Sequence, residues 1–216
     1  MSLTETLLQA NKVSREQIPN DMLAEMDAAT EALIAGNFSS NSIALGSKFP
    51  ETTLPNAKGD KVSVQDFIAK GPVVISFYRG GWCPYCNIEL KALQKALPQF
   101  KEFGASLIAI TPETPDNSLS TADKNNLSFE VLTDQDNLVA KDLGLVFQLE
   151  ENIRTIYGNF GIDLAASNGN DAYELPMPAT FVVSQEGEVI YKFVNEDYTK
   201  RADITEILSA LKKVEA

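Results

Sequence analysis

Cys83 and Cys86 are the two cysteines of this 216-residue chain, placed three apart in Tyr78-Arg79-Gly80-Gly81-Trp82-Cys83-Pro84-Tyr85-Cys86. Two thiols so close can cycle between dithiol and disulfide, which makes the segment a redox centre before anything else. As a staple the pair would gain little, since closing so short a loop constrains the unfolded chain by only about 2 kcal/mol. A zinc site asks for about four ligands. The chain offers two thiolates and no histidine, so no metal site and no cofactor are expected. The lack of histidine also removes the usual general base. An activated thiol here must rely on backbone dipoles and fixed charge.

Those cysteines need elements to hold them. Pro72 to Tyr78 is apolar on both parities, the pattern of a strand buried on two faces. Downstream, Ile88, Leu90, Leu93, Leu97, Phe100 and Phe103 mark an amphipathic helix. Pro98 is expected to break that helix into two segments, at about 3 kcal/mol if uncompensated. Cys83 then falls at the first helical turn, where free amides and the helix dipole favour a thiolate and can bring its pKa from about 8.5 into roughly the 3.5 to 7.5 range. It is expected to meet solvent, with Cys86 one turn further in, more buried and resolving. Pro84 loses no needed amide at such a place, and Gly80 and Gly81 allow a tight turn before it. Trp82 reads as a partly buried aromatic beside them.

Composition bounds the rest. With 44% hydrophobic and 22% charged residues the chain can bury one sizeable core with an appendage. A net charge of −12 argues against nucleic acid, whose affinity comes from clustered Lys and Arg. No basic-then-apolar start and no apolar run of about 20 residues is present, so no membrane partner is expected and the cytoplasm is the default compartment. Thiols there are kept reduced, which favours a catalytic or sensing pair over a permanent one.

Along the chain, Ser14 and Gln17 suggest a capped helix running to Gly36, with Met22, Leu23, Met26, Leu33 and Ile34 at helical spacing. It is expected as a helical extension over residues 1–44, packing on a main domain of residues 45–216, with a homodimer contact as the other possibility. A second buried strand, Ala105 to Ile110, should lie parallel to the first through a right-handed crossover. Helices are expected near Pro115 to Asn125 and Gln135 to Leu143, with a short strand at Phe129 to Leu132 between them. Leu145 to Asn170 reads as an insertion with a helix near Glu150 to Tyr157. Ala179 to Val183 and Glu188 to Phe193 form an antiparallel hairpin by turn chemistry, and Ile204 to Val214 a last helix. The class is α/β, a central mixed β-sheet flanked by helices. Met177-Pro178 opens the hairpin. A trans bond is the commoner outcome there, whereas a cis bond would turn the Met177 backbone toward a substrate.

Trp82-Cys83-Pro84-Tyr85-Cys86 resembles the active site of the thioredoxin-like fold, and Met177-Pro178-Ala179-Thr180-Phe181 resembles that family's cis-proline strand. Together with Gly46-Ser47-Lys48-Phe49-Pro50, Thr53-Leu54-Pro55-Asn56 and Phe77 to Trp82, the chain from about Leu45 onward is similar to peroxiredoxin-like members of the alkyl hydroperoxide reductase and thiol-specific antioxidant superfamily. That resemblance implies a thiol peroxidase that passes through a sulfenic acid and a Cys83–Cys86 disulfide, re-reduced by a thioredoxin- or glutathione-type reductant. It implies substrate contacts at Arg79, Trp82, Met177 and Pro178. In a second register Cys86 takes the attacking position, and the family's Pro, Thr and Arg fall on Arg79, Cys83 and Pro178. These departures favour the other reading, a general thiol-disulfide oxidoreductase acting on disulfide substrates, and leave Arg79 to supply positive charge. Glu89 matches a glutamate that tunes the dithiol in reductases of cytochrome maturation. As a plain helix residue it is expected to be exposed.

Overall fold

A computed structural model of the chain describes residues 1–214. In chain order its helices are α1 (Leu3–Arg15), α2 (Asn20–Ala35), α3 (Val64–Ile68), α4 (Pro84–Glu102), α5 (Pro115–Asn125), α6 (Leu138–Asp142), α7 (Glu151–Asn159), α8 (Leu164–Asn168) and α9 (Ile204–Lys212). Its strands are β1 (Thr53–Pro55), β2 (Lys61–Ser63), β3 (Val73–Phe77), β4 (Ser106–Thr111), β5 (Glu130–Thr133), β6 (Val146–Gln148), β7 (Glu174–Pro176), β8 (Ala179–Val183) and β9 (Val189–Val194). The central sheet has the order β5-β4-β3-β8-β9, with β3, β4 and β5 parallel and β8 and β9 antiparallel.

β3 lies in the middle of this sheet and is buried along its whole length. Its side chains alternate between two cores. Val73, Ile75 and Phe77 pack with Ile108, Phe181 and Leu143 on one face, and Val74 packs with Leu93, Phe100, Ile207 and Leu211 on the α4/α9 face. Each such large side chain contributes roughly 1.5–3 kcal/mol on burial, which fixes the end of β3 and therefore the loop that follows it.

Several elements depart from the pattern read in the sequence. The first helix begins at Leu3, because Ser2 accepts from the Glu5 amide while the Glu5 carboxylate accepts from the Ser2 amide, a complete capping box. Ser14 is therefore in a last turn rather than a cap, and α2 starts after Pro19 with no side-chain cap. The extension packs on the main body through Leu3 and Leu7. α4 runs unbroken through Pro98. That proline lies on the exposed face, where water can satisfy the freed carbonyl, while Leu93, Leu97 and Phe100 anchor the opposite face. The segment read as an insertion carries β6, which pairs antiparallel with β7 as one of two small two-stranded sheets, the other being β1 with β2.

Candidate active site

α4 starts where the loop from β3 delivers Cys83. Cys83 is the N-cap residue with extended backbone (φ −83°, ψ 117°), and Pro84 opens the first turn. The two glycines before it are required by close approach. Gly80 has φ +152°, and a Cβ there would stand 2.2 Å from the Trp82 indole nitrogen; one on Gly81 would stand 1.9 Å from Thr121 Oγ1. The Gly81 amide donates to Glu113 Oε2 at 2.8 Å, and Asn87 Nδ2 donates to the Gly81 and Cys83 carbonyls at 2.7 and 2.9 Å. The loop is thus tied down where it enters α4.

Both cysteines are free thiols. Neither sulfur lies at the open surface expected for Cys83: that residue is 1% exposed and Cys86 is fully buried. α1 and α2 account for the difference, since the cavity that Cys83 lines, about 310 Å³, is walled on its outer side by Asn11, Arg15, Leu23 and Met26. Tyr85 fastens the arm there by donating to Asn11 Oδ1 at 3.0 Å.

The environments drive the two thiols apart. Burial raises the Cys83 pKa, but hydrogen bonding from Cys86 and the positive charges of Arg79 and Arg201 outweigh it and bring the thiol down to about 6. Burial pushes Cys86 well above the ordinary thiol value, and its hydrogen bond to Cys83 and the negative charge there push the same way against Arg201. At neutral pH this leaves Cys83 the thiol that carries the negative charge, and a dithiol split in this way marks the loop as a candidate reactive site.

Two arginines flank the pair. Arg79 is 2% exposed, hydrogen-bonds the Tyr157 hydroxyl, and lies 5.0, 5.5 and 4.7 Å from the ring centres of Trp82, Tyr157 and Tyr198. Arg201 lies in the loop before α9 and donates to Cys86 Sγ at 3.1 Å, to Glu89 Oε2 at 2.5 Å, and to the Tyr198 and Lys200 carbonyls at 2.7 Å each. Glu89 is only 1% exposed, which corrects the expectation of an exposed helix residue. It sits on the sheet-facing side of α4, and Thr180 of β8 donates to its other oxygen at 3.4 Å. Burial raises its pKa to about 7, with Arg201 opposing. Burial also brings Glu113 to about 7 against the Gly81 amide.

Met177 and Pro178 differ from the expected cis-proline geometry. No cis peptide bond occurs among the described residues, and the Met177 amide donates to the Leu145 carbonyl at 2.8 Å. This bond continues the β6/β7 pairing, so the Met177 amide is already engaged and is not offered to a ligand. Pro178 lines a cleft of about 330 Å³ on the far side of Arg79. The structure thus gathers Cys83, Cys86, Arg79, Trp82 and Glu89 around one loop and leaves Met177 outside it. It adds Arg201 and Glu113, which the sequence does not single out. Arg201 is 115 positions from Cys86, and no spacing rule links them. Among the described residues no group of three or more His, Cys, Asp and Glu could hold a metal, and no helix is long and apolar enough to cross a membrane.

Comparison with known proteins agrees with this geometry. The chloroplastic peroxiredoxin Q of Gentiana triflora is 31% identical over 103 residues, a match spanning 48% of this chain and 47% of that protein. The thiol-disulfide oxidoreductase ResA of Bacillus thuringiensis is 24% identical over 153 residues, 70% of each chain. In fold, the crystal structure of peroxidoxin BcpB from Mycobacterium tuberculosis superposes with a TM-score of 0.64 at 18% identity, covering 81% of this chain and 99% of that one. The AhpC/TSA family model matches residues 45–192, well over half of the sequence. The chain therefore belongs to the AhpC/TSA family, with the thioredoxin-like fold of the peroxiredoxins.

Proposed function

We propose that the protein is a thiol peroxidase in which Cys83 attacks and Cys86 resolves. The Cys83 thiolate attacks one peroxide oxygen, so an S–O bond forms, the O–O bond breaks, and the alcohol or water leaves with a proton. Cys83 becomes a sulfenic acid and the peroxide gains two electrons. The Cys86 sulfur then attacks the sulfenic sulfur, forming the disulfide and releasing water. A thioredoxin-type dithiol returns the two electrons by exchange. A thiol-reducing compartment such as the cytoplasm suits this cycle.

The observation that carries this reading is the placement of Cys83 at the head of α4, on a cavity beside Arg79, with Cys86 behind it against Arg201. The helix terminus and guanidinium stabilise charge on the outer sulfur. Arg201 keeps the inner sulfur within reach of a positive charge when it becomes the leaving group in re-reduction. Trp82 packs against Tyr157 with the rings tilted at 56° and their centres 5.5 Å apart, and holds Arg79 in place.

The test is oxidation of the reduced protein with one equivalent of hydrogen peroxide, followed by mass spectrometry. A loss of two hydrogens mapped to the Cys83–Cys86 peptide is expected, and two free thiols would overturn the proposal. The second reading, a general disulfide oxidoreductase, draws on the absence of the family's Thr and Arg at Cys83 and Pro178 and on the similarity to ResA. Comparing peroxide consumption with reduction of a model disulfide separates the two.

A further inference from the structure

We infer that Arg79 and the cleft on its far side form a binding site for an apolar monocarboxylate, distinct from the cavity over Cys83. Arg79 is the meeting point of the two hollows, since it lines both. Its charge is buried without a carboxylate partner in the structure. One terminal nitrogen donates to Tyr157, and the buried Nε has no hydrogen-bond acceptor. Three aromatic faces offset part of the cost of burying that cation, but an unused guanidinium donor in a dry place remains costly. A carboxylate satisfies it with the planar, two-point geometry that arginine matches best.

The cleft fits the other end of such a molecule. About 330 Å³ is the small end of the range for ligand pockets, roughly 300–1,000 Å³. Met26 and Leu33 of α2, Phe38, Phe147 of β6, Ile153 of α7 and Pro178 supply apolar wall. Two carboxylates, Glu150 and Glu196, also border it. Glu150 is exposed, and Glu196 accepts from the Ser39 amide at 2.8 Å, so both lie at the rim and disfavour anions that bind there rather than inside. The chemistry selected is one negative head at Arg79 and an apolar body in the cleft.

Trp82 is the only tryptophan and lies over Arg79, so intrinsic fluorescence reports occupancy without any activity measurement. The full-length protein would be titrated with hexanoate, octanoate and decanoate, and with decanol as the uncharged match. Saturable fluorescence changes are expected, with affinity rising roughly fourfold per added methylene until the cleft is filled. Decanol should bind at least about tenfold more weakly than decanoate. Equal binding of decanol and decanoate, or no saturable change with any of the acids, would overturn the site. Leu33→Glu places a negative charge on the partly exposed cleft wall and should lose decanoate binding while its circular dichroism stays that of the wild type. If a folded L33E bound decanoate as the wild type does, the cleft assignment would be wrong. These readouts do not depend on which cysteine attacks peroxide, so failure of the site and failure of the peroxidase reading are told apart.

Discussion

Arg79 and Arg201 are both buried cations beside the same dithiol, yet their surroundings are opposite. Arg201 is saturated, with a carboxylate, a sulfur and two backbone carbonyls, whereas Arg79 has one phenol, three aromatic faces and an empty donor. A saturated arginine holds its neighbours in place, because removing it strands every group it served. An unsaturated one can respond to what arrives. The inner sulfur has therefore been given the fixed environment and the outer sulfur the responsive one.

The comparison breaks most visibly at the sulfurs. Cys83→Ser should reduce peroxide consumption to background, while Cys86→Ser should still reduce about one equivalent per chain and then stop, because no resolving thiol remains. A stopped-flow peroxide assay with and without a dithiol reductant reads both. One equivalent reduced by C83S and none by C86S would reverse the assignment of roles.

At the arginines, Arg201→Met should cost about 3–5 kcal/mol in urea unfolding, since it leaves Glu89 buried without its counter-ion. The double variant R201M/E89Q should recover a substantial part. Arg79→Gln should act on chemistry instead. The wild-type rate of Cys83 alkylation by iodoacetamide should be half-maximal near pH 6 and fall below it, as the thiolate takes up a proton. In R79Q that midpoint should rise by about one unit. If R201M moved it further than R79Q, the division between the two arginines would not hold.

Smaller effects sharpen the picture. Glu89 and Glu113 have folded pKa values raised to about 7, above the usual carboxylate value of 4.5. Their contribution to stability is thus complete below about pH 4.5 and is lost as pH rises through 7. Glu113→Gln should flatten the decline in urea midpoint between pH 5 and pH 8, by an amount on the order of 1 kcal/mol. The smallest change is expected on the arm: Arg15 pairs with Asp27 at 2.7 Å but both are more than two-fifths exposed, so Arg15→Ala should cost about 0.2–1 kcal/mol.

Local chemistry was the legible part of this chain. β3, β4, the β8/β9 hairpin and α5 are readable from periodicity and turn residues, because each is decided by neighbours in sequence. The cysteines' place at a strand-to-helix junction follows in the same way. α1 was readable too, from Ser2 and Glu5, but the weaker Ser14–Gln17 pattern drew the helix start downstream. What could not be read is what depends on distant segments. Arg201 reaches Cys86 across 115 positions, Glu89 is buried only because β8 and the α9 loop close over it, and β6 finds β7 across a 25-residue interval that holds two helices. The Met177–Pro178 bond shows the same limit, since the pairing with Leu145 that makes an extended trans course suitable is long-range.

The sealing of Cys83 beneath the N-terminal arm bears on how the protein is assayed at the bench. Counting sulfhydryls in the native state with a bulky aromatic disulfide reagent should approach two per chain only slowly even when both are fully reduced, because at 1% and 0% exposure neither residue meets such a molecule, or a protein dithiol, until the arm moves aside. A low native count is then a measure of steric shielding, and the oxidation state has to be taken from denatured samples quenched with a small alkylating agent.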